Sequence, residues 1–134
     1  MDNLKVRRGD IYYADLPEEE EGSIQAGRRP VLITQSNWLN RKSSTVIVTM
    51  ITSKLKNPDF ECHVVLPMLK GLPKQSMILA EQRKTISKTQ LICYRCTLDR
   101  KLMKQVTKAL HAAEREDEEP GRQRRSRASK MSVK

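Results

Sequence analysis

The first two thirds of the chain alternate between short apolar, β-branched runs and polar breaks. Asp10-Ile11-Tyr12-Tyr13-Ala14-Asp15-Leu16, Pro30-Val31-Leu32-Ile33-Thr34-Gln35 and Thr45-Val46-Ile47-Val48-Thr49-Met50-Ile51-Thr52 read as strands, the third dense in the residues that strands prefer. His63-Val64-Val65-Leu66 and Ser76-Met77-Ile78-Leu79-Ala80-Glu81 continue the pattern. Gly22, Gly27, Asn57-Pro58, Pro67, Gly71 and Pro73 supply the turns between them, and 37–42 fits one short helical turn. Several short strands separated by turn signals predict a small barrel or strongly bent sheet. The pattern then changes period. Leu102, Met103, Val106, Ala109, Leu110 and Ala113 form one helical stripe, with Lys101, Lys104 and Lys108 facing away and Asp99 placed to cap the start. That stripe is expected to pack on the sheet.

Composition narrows the class. With 134 residues the chain fits one small domain, and 37% hydrophobic residues allow a modest core. No long apolar run or apolar leader is present, which predicts no membrane span and no signal peptide. Three cysteines do not make a disulfide framework, so the expected location is cytoplasmic. The net charge is +10 and the pI about 9.8, which points to a polyanionic partner, nucleic acid first. Residues 115–134 carry acids followed by bases, with Pro120, Gly121 and almost no large apolar side chain. Such a segment cannot offset its ordering entropy and reads as a disordered tail on a domain spanning 1–114.

The segment 17–29 is long, polar and bounded by glycine between two apolar strands, the form of a binding loop. Arg29 directly precedes Pro30, so its backbone is biased to extended conformations and its guanidinium leaves from a defined place. Four acids in a row, 18–21, would repel phosphate and suit a gate or a partner contact.

Four segments, in order, resemble the MazF/PemK/Kid-type toxins of toxin–antitoxin modules. They are Arg8-Gly9-Asp10-Ile11-Tyr12-Tyr13-Ala14-Asp15-Leu16; Gly22-Ser23 and Gln25 followed by Gly27-Arg28-Arg29-Pro30-Val31-Leu32-Ile33; Leu39-Asn40-Arg41 with Thr45-Val46-Ile47-Val48 and Ile51-Thr52-Ser53; and Ser76 through Glu81-Gln82, then Thr85-Ile86. The resemblance covers about residues 5–112. It implies a mainly β, SH3-like barrel with a C-terminal helix, a homodimer, and an endoribonuclease that cuts single-stranded RNA without metal or other cofactor. It also implies a cognate antitoxin that blocks the RNA groove. The family's catalytic Arg and Thr map onto Arg29 and Thr52. Gln25, Arg28, Ser53, Lys54, Gln82, Arg83 and Lys84 are the expected RNA contacts. Lys84 stands where the family often has Arg, and Ser87 where it usually has Asp, which bears on base preference more than on fold.

Metal-free RNA cleavage uses the neighbouring 2′-OH as nucleophile on phosphorus. It needs a proton acceptor, stabilisation of the added charge and protonation of the leaving 5′-oxygen. A guanidinium matches phosphate oxygens as a fork of donors and holds its proton too tightly to serve as a base, which assigns Arg29 mainly to charge stabilisation, with proton donation to the leaving group as a second role. A threonine hydroxyl donates or accepts a hydrogen bond to the same phosphate.

Other constellations carry less. His63 and His111 lie on different elements, so a two-histidine ribonuclease is not expected. Cys93-x-x-Cys96 with Cys62 and His63 has the residue types of a zinc site, but adjacent strand residues point to opposite faces, and free thiols are expected. Trp38, Tyr12, Tyr13 and Tyr94 are too few for a base-stacking platform. Tyr12 or Tyr13 is expected in the core, and Trp38 exposed at a dimer interface. The competing functions are a non-catalytic toxin of this fold that inhibits a protein such as DNA gyrase, and a plain nucleic-acid-binding barrel.

Overall fold

The computed structural model describes residues 5–17 and 27–116. Gln25, the acidic run 18–21 and the tail from 117 onward lie outside the described residues. Six strands form one antiparallel sheet: β1 (Asp10–Leu16), β2 (Gly27–Ile33), β3 (Thr45–Thr52), β4 (His63–Val65), β5 (Met77–Ser87) and β6 (Leu91–Thr97). Their order is β4-β5-β3-β2-β1-β6, so β4 and β6 are open edges and the barrel-like sheet is not closed. Helix α1 (Asn37–Lys42) links β2 to β3, and α2 (Arg100–Glu114) follows β6. Among the described residues, no helix is long and apolar enough to cross a membrane.

Strand alternation gives the sheet two buried faces. Tyr12, Ala14, Leu16, Val31, Ile33, Val46, Val48 and Met50 fill one, together with Ile86 and Leu91. Ile11, Leu32, Ile51, Val64, Ile78 and Ala80 fill the other, where Val106 and Ala109 of α2 complete the packing. The helical stripe therefore packs as expected, and full burial of Val106 contributes about 1.5 kcal/mol or more. Asp99 caps α2 by accepting from the Leu102 amide at 2.9 Å. Tyr12 is the tyrosine that enters the core, and Trp38 is 61% exposed on α1.

Three elements differ from the sequence reading: β2 begins at Gly27 within the expected loop and ends at Ile33, and two others depart further. β5 runs on to Ser87 through the polar stretch Glu81-Gln82-Arg83-Lys84, and β6 was not expected as a strand. β5 carries an irregularity against β3: Thr49 opposes Arg83, but Met50 opposes Leu79, so 80–82 are extra. That break bends the sheet and tolerates polar residues mid-strand.

Candidate active site

The β2·β3 ladder stops early. Val31 pairs with Met50, Leu32 with Thr49 and Ile33 with Val48, and there it ends. The next residue toward the loop is Pro30, which has no N–H to donate. Beyond it, 27–30 of β2 pair only with β1, while Ile51 and Thr52 of β3 pair only with β5. Two steps along the interrupted register, Arg29 stands opposite Thr52. Val31 and Met50 share one core face, so alternation puts Arg29 and Thr52 on that same face.

The parted strands leave a cavity of about 500 Å³ lined by Arg28, Arg29, Thr52, Ser53 and Lys54, with Tyr13, Leu72, Lys74 and Ser76 also in its wall. Five of the expected site residues are thus brought together. The described lining has four cations, Arg28, Arg29, Lys54 and Lys74, and no carboxylate or imidazole. A polyanion is the ligand such a wall favours.

The Thr52 hydroxyl accepts from the Lys54 amide at 3.0 Å. That bond fixes one lone pair and leaves the hydroxyl proton to be donated elsewhere. Ser76 is buried and donates to the Lys74 carbonyl at 3.0 Å, holding the turn that carries Lys74.

Sequence reasoning missed the far wall. Leu72, Pro73 and Lys74 are held by β6: Arg95 donates from Nε to the Gly71 carbonyl at 2.8 Å, and its guanidinium lies 5.1 Å from the centre of the Tyr13 ring. Gly71 has φ +104°, and a Cβ there would sit 2.5 Å from the Arg95 carbonyl oxygen. The Gly-Leu-Pro turn was visible in the sequence, but its partner lies 24 residues away.

Gln82, Arg83 and Lys84 do not line this cavity. Arg83 opposes Thr49, three residues or about 10 Å along β3 from Thr52, and it pairs with Glu114 at the end of α2. Gln82 has a buried Oε1 without a hydrogen-bond partner. The histidines also stay apart: His111 is exposed on α2, and His63 lies 3.1 Å from Glu81 on the β4–β5 side. Burial pushes the Glu81 carboxyl up, but hydrogen bonds from His63, the backbone and Cys62 outweigh it and hold the carboxyl below its ordinary value. All three cysteines are free thiols, and burial pushes those of Cys62 and Cys96 up.

Comparison with known proteins shows the family and the fold. Residues 7–113 match the family described as PemK-like, MazF-like toxin of type II toxin–antitoxin system. The chain is 41% identical over 106 residues to the endoribonuclease EndoA of Bacillus subtilis, covering 78% of this chain and 90% of that one. It is 42% identical over 106 residues to the endoribonuclease MazF of Staphylococcus saprophyticus, covering 78% and 88%. Among solved structures, MazF from Deinococcus radiodurans shares the fold with a TM-score of 0.69 at 19% identity, covering 82% of this chain and 96% of that one. A mycobacterial endoribonuclease in complex with its cognate antitoxin superposes with a TM-score of 0.67 at 22% identity, covering 81% and 93%. This chain belongs to the PemK-like, MazF-like toxins of type II toxin–antitoxin systems.

Proposed function

We propose that the cavity between Arg29 and Thr52 cuts single-stranded RNA at short sequences, and that the loss of message inhibits translation and growth. The chain is an endoribonuclease toxin by family, and the observation that carries the site is the opposition of Arg29 and Thr52 across the open ladder. The ribose 2′-OH attacks phosphorus, the P–O5′ bond breaks, and the products are a 2′,3′-cyclic phosphate and a 5′-OH. Arg29 donates hydrogen bonds to the non-bridging oxygens as charge builds and passes a proton to the leaving 5′-oxygen, and water then reprotonates the guanidine. Thr52 adds the hydroxyl donor that its bond to Lys54 leaves available. The 2′-OH proton leaves to an acceptor that is not among the described lining residues, water or a neighbouring group. A wall whose described residues are cationic and include no carboxylate suits cleavage that needs no catalytic metal.

Arg28, Ser53, Lys54 and Lys74 hold the phosphates beside the scissile one. Gln82, Arg83 and Lys84 serve a more distant part of the RNA path along β5, and Gln25 contributes from the β1–β2 loop. A cognate antitoxin occludes the groove. The active form is a homodimer, with exposed Trp38 on its contact face, and it works in the cytoplasm. A gyrase-type inhibitor has no use for an arginine and a threonine set opposite each other in one cationic cavity, which favours the nuclease over that alternative and over a plain binding barrel. The test is end-mapping of RNA fragments made by wild type and by Arg29→Ala. Cyclic-phosphate ends from wild type and none from the variant support the assignment. Equal cleavage by both removes Arg29 from the chemistry.

A further inference from the structure

A second constellation lies two strands away from the cavity. Thr52 opposes Met77, which opposes Val65 of β4, and His63 begins that strand. The Cys62 thiol, the His63 imidazole and the Glu81 carboxylate bring one ligand atom each to within 4.8 Å of one another. Cys62 precedes β4, so the alternation that would separate neighbouring strand residues does not apply to it.

The imidazole decides what sits between them. His63 Nδ1 is 2.9 Å from the Asn57 carbonyl oxygen, which only accepts, so Nδ1 carries the proton. Asn57 adopts φ 53°, a left-handed turn that aims this carbonyl at the ring. The ring is further held beside Phe60, with centroids 5.2 Å apart, and its side chain is only 5% exposed. Its Nε2 faces Glu81 Oε2, 3.1 Å away. The gap holds either a proton on Nε2 or a metal ion that takes both atoms as ligands, and the thiol beside it favours the metal. An imidazole fixed by a carbonyl at one nitrogen, with the other facing a thiol and a carboxylate, is the outer-sphere arrangement of a metal-ligating histidine.

We propose that Cys62, His63 and Glu81 bind one zinc-class divalent ion, with water in the remaining position. Ligand atoms around tetrahedral zinc lie roughly 3.3–3.8 Å apart, given bonds of about 2.0–2.3 Å. Small side-chain adjustments reach that from the spacing here. A thiolate and a carboxylate neutralise the ion's charge. The bound ion ties the 53–62 connection, which starts at the cavity wall, to β5. It takes no part in RNA cleavage.

The test uses the full chain, stripped with chelator and titrated with zinc chloride and cobalt chloride. One equivalent binds, cobalt gives a thiolate charge-transfer band, and zinc slows alkylation of Cys62 at least about tenfold. Cys62→Ser loses the band and Glu81→Gln, at an exposed position, weakens zinc binding about tenfold or more, while the Cys93→Ser/Cys96→Ser double variant keeps both. No stoichiometric binding, or unchanged binding in Cys62→Ser, overturns the proposal and leaves His63 and Glu81 as a proton-bridged pair.

Discussion

Thr52 offers a clean separation of chemistry from fold. Thr52→Val preserves shape and β-branching but deletes the hydroxyl. Among the described residues the hydroxyl accepts a hydrogen bond from the Lys54 amide at 3.0 Å. Lys54 is exposed, so water replaces that partner, and the loss in stability is at the low end of a net hydrogen bond, about 0.5 kcal/mol. The loss in cleavage is larger if the hydroxyl donates to the developing charge. Removing one preorganised donor slows turnover about 10²–10³-fold, or about 3–4 kcal/mol in the barrier. Thr52→Ser keeps the donor and retains most activity. The assay is single-turnover cleavage of a labelled RNA, with urea unfolding of each variant as control. Cleavage by the Val variant within about tenfold of wild type, or a Ser variant as slow as Val, would refute the donor role.

Other outcomes follow from the same coordinates. Gly71→Ala meets both the positive φ and the Arg95 carbonyl, and should cost about 1–3 kcal/mol in thermal or urea unfolding; an unchanged midpoint would show that the Gly71–Arg95 contact is not rigid. Burial, then Asp10 and Tyr94, push the Tyr12 phenol up. Its neutral form is favoured in the fold, so its contribution is complete below about pH 10 and lost as pH rises through the folded value. Tyr12→Phe should therefore flatten the alkaline fall in stability, and an identical pH profile would contradict this. Deleting 117–134 removes Arg122, Arg124, Arg125, Arg127, Lys130 and Lys134, and should weaken RNA binding alike across sequences while flattening its salt dependence. An unchanged salt slope in filter binding assigns the tail another role. If the chain forms the proposed homodimer through Trp38, Trp38→Glu should shift sedimentation toward monomer, whereas an unaltered dimer places Trp38 outside the interface.

The sequence was most legible where a single period governs a segment. The Val and Ile run of β3 and the α2 stripe bury the faces their spacing indicates. β6 escaped notice because this edge strand mixes Cys, Tyr and Arg and has only Leu91 buried. The second half of β5 escaped notice because the irregularity at Thr49/Met50 lets four polar residues continue a strand. Arg29 before Pro30 was visible, but its opposition to Thr52 depends on where the β2·β3 ladder ends, which is a property of pairing. Residue types alone did not join Arg95 to Gly71 and Tyr13, or Glu81 to Cys62 and His63. In both cases the partners come from separate strands and turns brought together by register.

The most direct measurement is incubation of the purified chain with a long single-stranded RNA in excess EDTA, alongside Arg29→Ala, with all fragment ends mapped. Discrete cuts that persist in EDTA, end in 2′,3′-cyclic phosphate and disappear in the folded variant are the expected result. Intact RNA with well-folded wild type, or cuts that survive the loss of Arg29, would contradict the central claim.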